Sequence, residues 1–150
     1  MENMDRKDLE NIVRKILLET LDNCGAGQSI SNRLPSGVMS VKLPLLSLDK
    51  FDTGKAGDNV LLKDAFTLEQ SPRLGCGLME MRQTTFDWFL NYDEIDYVIE
   101  GRLEINIDGG KVGANKGEII LIPKGSKIQF CVPDYAKFMY VSYPADWANQ

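Results

Sequence analysis

Two hydrophobic periods divide the chain. Over residues 4–21, Leu9, Ile12, Val13, Ile16 and Leu17 recur at helical spacing and form one apolar face. Arg6, Lys7, Glu10, Arg14, Lys15 and Glu19 make the opposite face polar and of mixed sign, which does not favour an anionic membrane surface. Asp5 is placed as the N-cap, with Asp8 three residues on as a short capping-box acid. The pattern predicts an amphipathic helix within residues 1–22. "NCGAGQSISNRLPSG", residues 23–37, is rich in Gly, Ser and Asn and reads as a flexible linker. The helix's apolar face has two outlets, its own domain or a partner groove.

From Val38 the period becomes two, and residues 38–150 read as one strand-rich domain. "VMSVKLPLL", "NVLLKDAFTL" and "LGCGLMEMRQT" read as strands, with Pro44 placing the first at an edge or bulge. In "RLEINID", Leu103, Ile105 and Ile107 face one way and Arg102, Glu104, Asn106 and Asp108 the other. Asp108-Gly109 then signals a type I′ hairpin, with "KVGA" pairing back. "GEIILIP" is a continuous apolar run, which predicts a strand buried on both faces. "KIQFCV" and "KFMYVSY" complete the set, with no helix expected inside this body. Many short strands punctuated by Gly and Pro predict an all-β sandwich or barrel.

Composition narrows the function classes. At 150 residues and 43% hydrophobic, the chain can bury a core without metals or disulfides. A net charge of −5 argues against a nucleic-acid partner, which needs a basic stripe. Cys24, Cys76 and Cys131 are widely spaced with no C-x-x-C, so reduced thiols in a cytoplasmic protein are expected, with Cys24 the accessible one. No apolar run approaches a membrane span, and no secretory signal opens the chain.

Two spacings are more specific. Glu94 and Gly101 form E-x6-G, and "GEIILIPKG" forms G-x5-P-x-G through Gly117, Pro123 and Gly125. In this order, with a hairpin between, they resemble the two signatures of the cupins. That resemblance implies a double-stranded β-helix, a jelly-roll barrel with a ligand cavity at its mouth. The usual metal ligands are missing. The positions of the H-x-H pair hold Trp88 and Leu90, or Asp87 and Phe89, and the later histidine position holds Ile128. The chain has no histidine, and a lone glutamate does not hold a transition metal, so an iron or manganese oxygenase is excluded. Trp88 is expected to fill the space such a metal occupies.

"FDWFLNYDEIDYVIEGRLEINIDGG", "IPKGSKIQF" and "YPADW" together resemble the EutQ family, cupins of ethanolamine-utilisation microcompartments. The resemblance covers the C-terminal two-thirds, and the N-terminal part is shorter than in some members. It implies association with a bacterial microcompartment, a role in its assembly, and an ATP-dependent acetate kinase activity interconverting acetate and acetyl phosphate. Residues 1–22 and their linker have the form of a helix that docks on shell or cargo proteins. Cupins commonly pair, so a homodimer is expected.

The acids of "YDEIDYVIEG" carry the candidate chemistry. If Glu94 points into the barrel, strand parity turns Asp96 and Val98 inward and Asp93 and Ile95 outward. Two inward carboxylates roughly 7 Å apart along the strand raise each other's proton affinity. They either form a functional site or sit at a rim satisfied by backbone N–H groups, Tyr92 or Arg82. A functional pair suits a hard cation, so Mg²⁺ at Glu94 and Asp96 with ATP is the cofactor expectation. Arg82, Lys124 and Lys127 are candidate phosphate-binding cations, although Lys124 also suits a solvated turn. No P-loop is present. Tyr92 is a candidate hydrogen-bonding residue, Trp88 a substrate-wall residue, and Glu80 a further acid if its parity is inward. The alternative to catalysis is a scaffold that binds shell or cargo partners, and a third option is a small-molecule binder whose acidic mouth favours the ethanolamine cation.

Overall fold

The structure, a computed structural model, describes residues 29–149. The helix read over residues 1–22, and Cys24, lie outside the described residues. Strands β1 (Ser31–Arg33) and β2 (Met39–Val41) form an antiparallel hairpin that makes a two-stranded sheet of its own. β1 therefore begins inside the stretch read as linker. The turn is set by Leu34 N–H donating to Val38 and Gly37 N–H donating to Leu34.

The main sheet comprises β3 (Asp49–Lys50), β4 (Val60–Asp64), β5 (Gly75–Leu90), β6 (Asp93–Ile107), β7 (Gly110–Asn115), β8 (Ile119–Ile122) and β9 (Ser126–Tyr143). Its order is β3-β4-β5-β9-β6-β7, with β8 paired to β6, and every pairing is antiparallel. Long β5, β6 and β9 bend around corners, so one sheet wraps into two layers. Register shifts mark those corners, at Arg82/Thr84 between β5 and β9, and at Val98/Glu100 and Gly101/Glu104 between β6 and β9. Gly101 is required at its corner. Its φ is +72°, and a Cβ there would stand 2.0 Å from the Tyr135 carbonyl oxygen.

The β6–β7 hairpin forms as the sequence indicates. Asp108 and Gly109 have φ values of +50° and +74°, and Ile107 pairs with Gly110. Three strand expectations change. "VMSVKLPLL" is not one strand, because β2 stops at Val41 and Pro44 lies in a 3-10 turn, Leu43–Leu45. "KIQFCV" and "KFMYVSY" are one strand, β9, which carries Pro133 past the bulge opposite Gln83, where no ladder bond is needed. "IILI" is not buried on both faces. Ile120 and Ile122 are buried, whereas Ile119 and Leu121 are 66% and 65% exposed. β8 lies on β6 with one face to the core and the other uncovered.

The core is the inside of the wrapped sheet. Met79, Met81, Phe86, Leu90, Val98, Leu103, Ile105, Phe130, Val132 and Phe138 fill it. Phe130 packs between Phe86 and Phe138 with ring centroids 5.4 and 6.3 Å away.

Candidate functional site

The inner row of β6 reads Glu94, Asp96, Val98, at 6%, 0% and 0% exposure. Asp93 and Ile95 alternate outward, as parity requires. The two acids are therefore lodged inside the barrel rather than at a wet rim. Glu94 faces Ile122 on β8 and Ser142 on β9, and Asp96 faces Ile120 and Tyr140. Space for the Tyr140 and Ser142 side chains comes from Gly77 and Gly75 across the β5–β9 ladder. A Cβ at Gly77 would lie 2.1 Å from the Tyr140 hydroxyl, and one at Gly75 2.2 Å from Ser142 Oγ.

Neither carboxylate oxygen of Asp96 has a hydrogen-bond partner, and nor does Ser142 Oγ. An ionised carboxylate in such surroundings costs several kcal/mol, which a proton relieves. Burial holds Asp96 well above the usual carboxylate range, and the neighbouring Glu94 charge adds to this. Burial likewise pushes Glu94 up to about 8. At neutral pH the pair is held largely protonated, so it offers O–H donors rather than a dianion.

An aromatic wall stands over Glu94. A cavity of about 20 Å³ is lined by Glu94 together with Trp88, Tyr92, Tyr140, Trp147 and neighbouring apolar side chains. That is room for about one water. Trp88 Nε1–H donates to the Tyr92 hydroxyl at 2.9 Å, and the Tyr140 hydroxyl donates to Asp64 Oδ1. Burial raises the proton affinity of both phenolates, so both tyrosines stay neutral. Trp147, on the 3-10 turn Trp147–Asn149, packs against Phe51, Trp88, Tyr92 and Tyr140 and closes the barrel. Two open clefts flank this closure. One, of about 800 Å³, shares Trp88 and carries Phe89, Lys111 and Lys127. The other, of about 520 Å³, shares Phe51 and Trp147.

The remaining candidates lie apart from the acid pair. Glu80 has outward parity, opposite to Met79 and Met81, and pairs with Arg82 at 3.5 Å and Lys137 at 4.0 Å. Arg82 sits at a corner, its guanidinium 4.2 Å from the centre of the Tyr135 ring. Lys124 is in the exposed β8–β9 turn, where its backbone N–H donates to Asp93 Oδ1. Trp88, Tyr92, Glu94 and Asp96 are thus brought together, and Glu80, Arg82 and Lys124 are not.

Comparisons with known proteins place the chain in a family. A family profile described as "Ethanolamine utilisation protein EutQ" matches residues 4–149. The chain belongs to the EutQ family. It is 57% identical over 152 aligned residues to a Clostridioides difficile protein named "Acetate kinase EutQ", covering 99% of this chain and 97% of that one. Against the Salmonella typhimurium protein of the same name it is 37% identical over 75% of this chain, and spans 49% of the relative's length. The solved Clostridium difficile EutQ structure superposes with a TM-score of 0.78 at 64% identity, over 81% of this chain and 90% of that one. A cupin domain from Schizosaccharomyces pombe, 13% identical over 73% of this chain and 77% of that one, shares the fold with a TM-score of 0.57.

In this EutQ-family chain Trp88 and Ile128 stand where the cupin signatures carry histidine. Trp88 and Ile128 pair across β5 and β9, Ile128 in the core and Trp88 against it. No group of three or more potential metal ligands occurs among the described residues. A Mg²⁺ ion on Glu94 and Asp96 also fits the closed barrel poorly. Mg²⁺ keeps several waters in near-octahedral geometry, whereas the cavity has room for one and Asp96 is wholly buried.

Tyr140, Ser142, Phe51 and Trp147 went unassigned in the sequence. The alternation in "FMYVSY" was the available signal for Tyr140 and Ser142. Phe51 and Trp147 lie outside regular strands, where no periodicity reports a side-chain direction.

Proposed function

We propose that this chain is an ATP-dependent acetate kinase of ethanolamine-utilisation microcompartments. The observation that carries the proposal is the inward Glu94–Asp96 pair in an aromatic barrel, where burial favours the protonated acids. The name borne by the 57% identical relative supports it. In this reading Trp147 moves aside, since the closed cavity of about 20 Å³ is too small for acetate, and acetate then sets its methyl group against the aromatic wall and accepts a hydrogen bond from the Glu94 carboxyl. The other acetate oxygen attacks the γ-phosphorus. An O–P bond forms, the bond to the β-phosphate oxygen breaks, and ADP leaves with its electron pair. The triphosphate, with Mg²⁺ travelling on its own oxygens, occupies the cleft beside Trp88, where Lys127 supplies positive charge, Lys111 being paired with Glu104 at 2.7 Å. Lys124 lies at the exposed turn and Arg82 is held by Glu80 and Tyr135, so neither is assigned a direct role.

The test is acetyl phosphate formation from acetate and ATP by the purified chain. Glu94→Leu and Asp96→Leu, which remove the carboxyl donors that a Gln or Asn amide would keep, are each expected to reduce turnover by at least about tenfold, the effect of one lost transition-state hydrogen bond. Folded variants with full turnover would remove the pair from the mechanism.

A second, non-enzymatic reading is favoured by the outer sheet face. Ile95 and Tyr97 on β6 pair with Leu121 and Ile119 on β8, and all four are at least 41% exposed. Val141 and Met139 continue the row on β9. An exposed apolar face of this kind suits an isologous contact, and a second copy of the chain is its proposed occupant. Residues 1–22 would then present the assembly to shell or cargo proteins. Deleting them is expected to abolish co-sedimentation with shells, and retained co-sedimentation would refute that role.

A further inference from the structure

We infer that the barrel interior is also a site for a small ammonium monocation, from ammonium itself to a two-carbon alkylammonium, held by Glu94 beneath the aromatic wall, with Asp96 and Ser142 buried beside Glu94. The inference goes beyond the kinase reading and stands without it. Asp96 is wholly buried with neither oxygen partnered, and Ser142 Oγ, on the adjoining strand, is also buried and unpartnered. Glu94 lines the cavity and lies directly across the ladder from Ser142. An alkylammonium head has three N–H donors, ammonium itself four, and neither has an acceptor, the complement of an ionised Glu94 with the Asp96 and Ser142 oxygens beside it.

Charge selects the sign of the ligand. Among the described residues, no lysine or arginine is buried, so nothing inside the barrel balances an ionised acid. The rings of Trp88, Tyr92, Tyr140 and Trp147 add a wall that attracts cations. Size selects among cations. The cavity of about 20 Å³ takes a water-sized ion, and ammonium is of that size. A longer alkyl chain requires Trp147 to move. Trp147 rides on a 3-10 turn rather than on the barrel sheet and borders an open cleft of about 520 Å³.

Binding exchanges charge. The cation keeps all its protons, a Glu94 carboxyl releases one to solvent, and the ion pair that forms is neutral overall. The titratable groups facing Glu94 are Asp96 on β6, Tyr92 in the β5–β6 turn and Tyr140 on β9. Asp64 and Cys76 lie behind Tyr140, and β8 contributes only Ile120 and Ile122. Ammonium affinity therefore rises with pH through the Glu94 titration. Acetate prefers the protonated pair, so the two ligands exclude each other and an ammonium is a competitive inhibitor of acetate turnover.

The test uses the full chain and ammonium chloride, ethylammonium chloride, ethanolamine hydrochloride, potassium chloride and tetramethylammonium chloride at matched ionic strength. Tryptophan fluorescence and proton release in unbuffered solution are read near pH 8 and near pH 5.5. A saturable response and stoichiometric proton release are expected with the first three salts near pH 8, weaker near pH 5.5, and absent with potassium and tetramethylammonium. Ammonium chloride alone responding identifies the ion as ligand, and a larger fluorescence change with the alkylammoniums identifies the longer class. Glu94→Gln is expected to abolish proton release, and Ser142→Ala to weaken binding at least about fivefold, as for one lost hydrogen bond. An equal response to potassium, no saturation by about 100 mM, or wild-type binding by both variants would overturn the inference. Acetyl phosphate formation measured without ammonium separates the two proposals, since either can fail while the other holds.

Discussion

Folding should take up protons near neutral pH, and Glu94 sets the size of the effect. An unfolded glutamate titrates near 4.5, whereas burial in the barrel pushes Glu94 up to about 8. Between these values the folded chain keeps a proton that the unfolded chain has lost. Stability then falls as pH rises, by about 1.4 kcal/mol per pH unit for each such proton. The penalty is absent below the unfolded value and complete above about 8, where it reaches about 5 kcal/mol for Glu94. From pH 5 to pH 7 the loss is about 3 kcal/mol, or about 6 to 12 °C in Tm for a chain of 150 residues. Asp96 adds a contribution of the same sign. Glu104, whose bonds to Lys111 and Arg102 lower its proton affinity, acts below this window. The assay is thermal unfolding by circular dichroism across pH 5 to 7.5, on wild type and Glu94→Gln. The variant should lose about 1.4 kcal/mol per pH unit of slope and be the more stable protein at pH 7. A wild-type Tm that is flat or rises with pH, or a variant with unchanged slope, would refute the reasoning.

The remaining predictions concern the scaffold and its outer face. Gly101→Ala combines positive φ with a Cβ 2.0 Å from the Tyr135 carbonyl, so a loss above about 3 kcal/mol is expected in chemical denaturation. A loss below about 1 kcal/mol would show that the corner can relax. Leu121→Lys places a charge on the exposed β8 face, 65% exposed in the isolated chain. Light scattering should report a dimer for wild type and a monomer for the variant, and an unchanged mass would place the dimer contact elsewhere.

The sequence carried the barrel and the inward acids because both depend on period two. Once Glu94 is placed inward by the E-x6-G spacing, parity places Asp96, and the structure buries both. The same rule misread "IILI". A continuous apolar run has no parity of its own, and its exposed half, Ile119 and Leu121, follows from β8 lying on β6 with nothing over its outer face. Glu80 was ambiguous for a related reason. "GLMEM" surrounds it with apolar residues on both sides, and only the ladder to β9 shows that it faces Lys137. The cavity's lid was not legible, since Phe51 and Trp147 are brought together by chain ends and loops far apart in sequence. Neither was the separation of Arg82 and Lys124 from the acids, which depends on where β5 bends and where the β8–β9 turn emerges.

The most direct test of the inward pair is a carbon-13 NMR titration of side-chain carboxyls in uniformly labelled protein, with Glu94→Gln and Asp96→Asn assigning the two resonances. Glu94 is predicted to titrate near 8, and Asp96 to stay protonated well above the ordinary aspartate range. Two resonances titrating near 4, as solvated carboxylates do, would contradict the claim that both acids lie inside the barrel.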